Sequence, residues 1–315
     1  RVIEGELTLG QLVAFMAYVA QLVVPGRRFG WVVASIAQAA ASAERIFEIL
    51  DRTSEISDSP QARALPAVKG NIRFDHVTFA YSGTDTVLDD LSFEIQAGER
   101  VALLGGTGSG KSSIISLIPR FYNPTSGVIS IDGIDIRDIT ISSLRDHIGV
   151  VFQDTILFAS TLRENIAFGR PGASQADIET AAKAAHAHDF IMALPLGYDA
   201  RVGEQGSSLS GGQKQRLAIA RTLLMDPRIL VLDDATSSVD TQTEQQIQDA
   251  LDILMRNRTA IIIAQRLSTI READRVIVLD HGRIAAMAER SGEGTPHEQL
   301  LRNCGLYVDL VTTQM

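Results

Sequence analysis

The stretch GGTGSGKS, Gly105 to Ser112, constrains the fold more than any other feature of the chain. It matches the spacing G-x-x-x-x-G-K-[ST], follows the apolar run RVALL and enters the helical SIISLIPRF. Glycines let backbone N–H groups turn inward on phosphate oxygens, and the helix that follows adds its dipole. Lys111 supplies a point charge, and the Ser112 hydroxyl suits Mg²⁺. A strand, this loop and a helix in succession predict an α/β domain that holds a nucleoside triphosphate.

The rest of the chain keeps that rhythm. NIRFDHVTFAY alternates as a strand, and DLSFEI and RVALLG are short apolar runs. ILVLDD, TAIIIAQ and RVIVLD alternate with helical segments further on. ILVLD places an acid, Asp233, at the end of a buried strand, where a carboxylate holds Mg²⁺ through water. An aspartate opening a turn would read the same way in isolation; the phosphate loop favours the metal role.

The 315 residues exceed one ordinary domain, so one large domain with an appended segment is expected. The net charge of −9 argues against a broad nucleic-acid footprint, which needs a basic surface. The single cysteine, Cys304, has no disulfide partner within the chain and no metal-ligand spacing around it, and reads as a buried small hydrophobe in a reducing compartment. The chain starts at Arg1 without a signal-peptide layout and reads as a piece of a longer polypeptide.

LTLGQLVAFMAYVAQLVV, residues 7 to 24, carries no charge over 18 residues, the lower limit for spanning a bilayer. A buried helix of a soluble domain is the alternative. Arg27 and Arg28 just beyond the run favour the membrane reading. The Ala-rich FGWVVASIAQAAASAERIFEIL continues the helix outward, with a kink expected at Pro25 and Gly26. DRTSEISDSPQARALPAVKG, residues 51 to 70, has no apolar period and reads as a linker.

A second glycine motif, LSGGQKQR at 209 to 216, precedes the helical LAIARTLLMD. With the phosphate loop it resembles the ATP-binding cassette family, and the resemblance covers nearly all of residues 71 to 310. It takes in Gln153 in VVFQDTILFAST, Asp233, and the SSVD loop ending at Asp240. The segments FYNPTSGVISIDGIDIRDITISSLRDHIGVVFQDTILFASTLRENIAFG and VGEQGSSLSGGQ are similar to the exporter branch, and residues 1 to 50 resemble its last transmembrane helix with an intracellular extension. The resemblance implies a phosphate-loop nucleotide-binding domain over 71 to 315, with a RecA-like core, an antiparallel β subdomain and a helical subdomain. Further membrane helices would belong to the intact subunit, with the nucleotide-binding domain on the cytoplasmic side of the cell membrane.

The family mechanism implies ATP and Mg²⁺ clamped between two cassettes facing head to tail. Gly105, Gly106, Thr107, Gly108, Ser109, Gly110, Lys111, Ser112 and Ser113 would contact the nucleotide, and Tyr81 occupies the position where the family stacks an aromatic on adenine. Taken alone, a tyrosine at a strand end is a packing residue. Ser210, Gly211, Gly212 and Gln213 would face the partner's γ-phosphate, with Asp240 in the loop toward the partner. Ser112, Gln153 and Asp233 would hold the metal, and Gln153 would join the attacking-water site.

Two residues depart from the family pattern: Asp234 stands where the family has Glu, and Gln265 where it has His. Both touch water attack on the γ-phosphate. Asp pulls its carboxylate back by about 1 Å or more relative to Glu, and a misplacement of that size costs on the order of 10²-fold. The Gln265 amide can donate to a phosphate oxygen but cannot take a proton. With the binding residues intact, the pattern resembles the degenerate half of a heterodimeric exporter, whose partner carries Glu and His at these positions and an imperfect signature. Drift in an ordinary cassette, a slow homodimeric exporter, and a soluble cassette protein acting on nucleic acid or ribosomes are the alternatives.

Overall fold

A computed structural model describes residues 5–81, 85–152, 155–203, 209–233, 241–292 and 294–314. The chain divides into two compact units, 1–55 and 56–315. The first is one helix, α1 (Leu9–Leu50), which continues through Pro25 and Gly26. Thr8 and Gln11 form a capping box at its start, satisfying amides that the first turn leaves without partners. At 42 residues α1 extends about 63 Å, while a bilayer core takes about 20 residues. It is long and apolar enough to cross a membrane, and Phe15, Tyr18, Leu22 and Trp31 are exposed within its unit.

The second unit opens with β1 (Ile72–Ala80), β2 (Thr86–Ile95), β3 (Arg100–Gly105), α2 (Lys111–Leu117), β4 (Ser126–Ile131) and β5 (Ile134–Asp135). There follow α3 (Ile141–Asp146), β6 (Ile148–Val151), α4 (Leu162–Ala167), α5 (Gln175–Ala184), α6 (His188–Met192) and α7 (Gly211–Met225). The chain closes with β7 (Ile229–Asp233), α8 (Thr241–Met255), β8 (Thr259–Ile263), α9 (Leu267–Glu272), β9 (Arg275–Asp280), β10 (Arg283–Glu289), α10 (Pro296–Asn303) and α11 (Gly305–Gln314).

Two sheets result. β2-β1-β4-β5 is antiparallel, and the other runs β10-β9-β3-β8-β7-β6. In the second, β9, β3, β8, β7 and β6 are parallel. Their continuous apolar runs follow from burial on both faces: every residue of β8 is buried. One core lies between the sheets, around Phe74, Leu88, Leu103 and Ile131. A second packs α4, α5, α7 and α8 on the other face of the parallel sheet, giving the α/β architecture with an antiparallel sheet and a helical part.

Residues 56 to 70 belong to the second unit and are tied into it by hydrogen bonds. The Asp58 carboxylate accepts from the Ile141 N–H at 2.7 Å, the Ser143 hydroxyl from Leu65 N–H at 2.8 Å, and the Ser57 carbonyl from the buried Arg120 guanidinium at 3.1 Å. The polar composition that reads as a linker is here used to satisfy helix and loop ends.

A third core, around Leu104, Ile270, Val276 and Tyr307, holds α10 and α11. Cys304 is half-buried at the end of α10, more accessible than expected. Tyr307 is fully buried, with its hydroxyl 2.6 Å from His297 Nδ1. Burial pushes the His297 imidazole below its ordinary pKa, with Arg271 adding to the effect. The unfolded chain therefore binds more protons, so this contribution to stability is complete above about pH 6.5 and is lost as pH falls toward the depressed folded value. Tyr307→Phe removes the hydroxyl and strands the ring nitrogen, a cost of about 1–3 kcal/mol. Urea unfolding at pH 7.5 will show this loss, and the wild-type chain will weaken as pH falls below about 6.5.

Candidate nucleotide site

The carboxyl ends of the parallel strands define the site, as the rule for open α/β sheets requires. Leu103 on β3 pairs with Ile263 on β8, and Ile263 pairs with Asp233 on β7. The phosphate loop leaves β3 at Gly105, and Gln265 lies two residues beyond the end of β8, its side chain exposed. β8 sits between β3 and β7, so Gln265 issues from between the phosphate loop and Asp233. β6 pairs with β7 on the far side, Val151 opposite Leu232. Gln153, Asp234 and Asp240 lie outside the described residues; Asp234 immediately follows Asp233 and Gln153 is two residues past β6.

Local chemistry explains the loop. Gly105 has φ +154°, and a Cβ there would lie 2.4 Å from both the Leu279 carbonyl and the Ser109 hydroxyl oxygen, so no larger residue fits. Gly106 and Gly108 face open space within the chain, as does the exposed Thr107 side chain in part. Lys111 Nζ donates to the carbonyls of Gly105 (2.7 Å) and Gly106 (2.8 Å) and to the Ser109 hydroxyl (3.3 Å). Burial pushes the Lys111 ammonium below its ordinary pKa, and the charge of Asp233 opposes that shift. Ser112 is exposed at the first turn of α2.

Two expected contacts are partly engaged inside the chain. Ser113 is buried, its hydroxyl 3.0 Å from the Tyr81 hydroxyl and its N–H donating to Gly110. Tyr81 is half-buried and meets Phe79 (4.7 Å) and Tyr122 (5.1 Å) edge-on. Its packing role is therefore real, and its ring remains partly open beside α2.

The signature residues stand elsewhere, at the N-terminus of α7. Ser210 and Gln213 form a capping box: the Ser210 hydroxyl accepts from Gln213 N–H at 3.3 Å, and Ser210 N–H donates to Gln213 Oε1 at 3.0 Å. Accepting in this way leaves the exposed hydroxyl's own hydrogen for an oxygen outside the chain. Gly211 is exposed with open space where a Cβ would stand; among the described residues nothing requires glycine there.

Arg216, quoted in the motif but given no role by sequence reasoning, is buried on α7. It donates to the His186 carbonyl (2.8 Å) and Gln246 Oε1 (2.6 Å) and lies over the Phe190 ring at 5.0 Å. It ties α7 to α8, the helix that begins just after Asp240. An arginine inside the helical run is the only signal the sequence offered.

A glycine-rich loop with its lysine between a buried parallel strand and a helix, and an acid at the end of a nearby strand, define a phosphate-loop nucleotide-binding domain. Residues 88–237 match the family model for ABC transporters. This stretch is an ABC transporter ATPase domain. It is 47% identical over 310 residues to an ATP-dependent lipid A-core flippase of Syntrophus aciditrophicus, covering 98% of this chain and 50% of that protein. It is 46% identical over 311 residues to an ATM1-type heavy metal exporter of Novosphingobium aromaticivorans, covering 99% and 50%. A solved structure of a bacterial Atm1-family ABC exporter with ATP bound is 45% identical, with a TM-score of 0.79 over 98% of this chain and 53% of that one. The chain spans about half the length of the curated relatives it matches.

Proposed function

We propose that the chain is part of a membrane exporter subunit that couples ATP binding and hydrolysis to translocation, with its own site the weak member of an unlike pair. In this reading residues 1–50 are the last membrane helix and its intracellular extension, 51–70 a linker whose residues 56–70 pack onto the domain that follows, and 71–315 the cytoplasmic nucleotide-binding domain. The exporter names of a relative and of a similar solved structure, with the length of α1, support it.

Mg²⁺ fits the donors present. Among the described residues no cluster of three His, Cys, Asp or Glu could hold an ion by itself. Mg²⁺ takes one or two carboxylates plus substrate phosphates, and the exposed Ser112 and the strand-end Asp233, with Gln153, would hold it alongside them. The ion would neutralise charge on the phosphates. Lys111, now held by loop carbonyls, would exchange them for phosphate oxygens, and Tyr81 would carry the adenine. Ser210 to Gln213 would close the partner's site, where the partner's Glu and His would act; Asp240 would face that partner.

The observation that carries the unlike-halves reading is Gln265, exposed at the edge between the phosphate loop and Asp233. Its amide can donate there but cannot carry the proton that an imidazole would. Assembly with a half-transporter bearing Glu and His at the two positions is expected to raise phosphate release per complex well above that of this chain alone. Equal turnover would discard the reading.

A further inference from the structure

The antiparallel sheet that carries Tyr81 and the parallel sheet that carries the phosphate loop meet at a three-way junction of backbone. β9 and β10 are joined by a two-residue turn, His281-Gly282, with φ +44° and +77°. This is the left-handed pair that a tight hairpin of this kind needs. Gly282 N–H donates to the Ser109 carbonyl of the phosphate loop at 3.2 Å, and its own carbonyl accepts from Asp89 N–H on β2 at 2.9 Å. A Cβ on Gly282 would stand 2.3 Å from the Val87 carbonyl oxygen and 3.3 Å from Leu88 Cα. A Cβ on Gly110 would stand 2.5 Å from Leu88 Cδ2 and 3.2 Å from the same Val87 carbonyl oxygen.

Val87 and Leu88 are thus approached closely both by a glycine of the phosphate loop and by a glycine of the hairpin turn. Leu88 pairs across the sheet with Phe79, and Phe79 packs edge-on against Tyr81. A path of direct contacts therefore runs from the Ser109 carbonyl through Gly282 and β2 to the Tyr81 ring.

We propose that Gly282 is a positioning residue that sets the spacing between the base-stacking aromatic and the phosphate cradle, by allowing the β9–β10 turn to lock β2 against the phosphate loop. The inference rests on the adenine role proposed for Tyr81. Backbone clashes are met by rigid atoms rather than flexible side-chain ends, so a methyl at 282 displaces β2 or the turn. Ligands that span base and triphosphate will sense the displacement; a ligand with phosphates alone will not.

The test compares Mg-ATP with Mg-tripolyphosphate, each titrated against the full chain in detergent. Gly282→Ala is expected to weaken ATP binding about tenfold or more while tripolyphosphate binding stays within about twofold. Gly133→Ala, at φ +80° with open space around it, imposes similar backbone strain without the clash and is expected to change neither. Equal loss for both ligands, or none for ATP, overturns the inference. Tyr81→Ala separates the two layers: if it leaves the ratio of the two affinities unaltered, the adenine role fails; if it alters the ratio and Gly282→Ala does not, only the junction fails. Hydrogen exchange on the unaltered chain decides the matter should Gly282→Ala not fold. The Asp89 and Gly282 amides are expected to exchange more slowly with ATP than with tripolyphosphate, and equal protection by the two overturns the inference.

Discussion

Asp234→Glu combined with Gln265→His will raise ATP turnover at this chain's own phosphate loop by about 10²-fold or more. In the proposed reading Glu adds the methylene that would bring the carboxylate to the attacking water, and a shift of about 1 Å there is worth on the order of 10²-fold, about 2.7 kcal/mol of barrier. His at 265 adds a group that can hold positive charge beside the γ-phosphate, at the strand end between the phosphate loop and Asp233. In the proposed reading the two residues serve one chemical step, so their effects should not add independently. Phosphate release is to be measured in an assembly whose partner site is silenced at its own phosphate-loop lysine. Turnover unchanged by the double substitution would remove these residues as the explanation of a slow site.

Lys111→Ala will lower ATP affinity by about 10²-fold, read by titration with a fluorescent ATP analogue. A charged hydrogen bond is worth about 1.5–3 kcal/mol, and Lys111 is the ammonium held at the mouth of the loop, on the carbonyls of Gly105 and Gly106. Those carbonyls keep their places, because Gly105 is fixed by its close approach to Leu279. The fold should therefore survive and the loss fall on phosphate binding. Near-native affinity would mean that the triphosphate is held by backbone amides and α2 alone.

The two predictions concern residues of unequal legibility. Lys111 was plain because its motif is local: strand, glycine turn and helix are contiguous from Arg100 to Leu117. The strands at Ile72, Arg100, Ile229, Thr259 and Arg275 were visible as alternating or continuous apolar runs, since burial on one or both faces leaves a periodic mark. β5, only two residues long, and β10, mostly exposed or half-buried, leave no such mark, and no expectation covered them. The order of residues 56 to 70 was equally hidden, because Ser, Asp and Pro that satisfy distant helix ends look the same as residues of a loose connection.

By itself the sequence determined the phosphate loop, the α/β rhythm, the signature turn and the apolar helix, each written in contiguous residues whose geometry is decided within a few turns or strands. Only the tertiary structure decided that β8 runs between β3 and β7, so that Gln265 emerges beside Asp233 across a gap of 32 positions in the chain. It also decided that Gly282 reaches Ser109 and Val87, and that Arg216 binds α7 to α8. Contacts of that kind depend on sheet order and on how closely two backbones approach, and a glycine or an arginine in the sequence does not say what will stand against it.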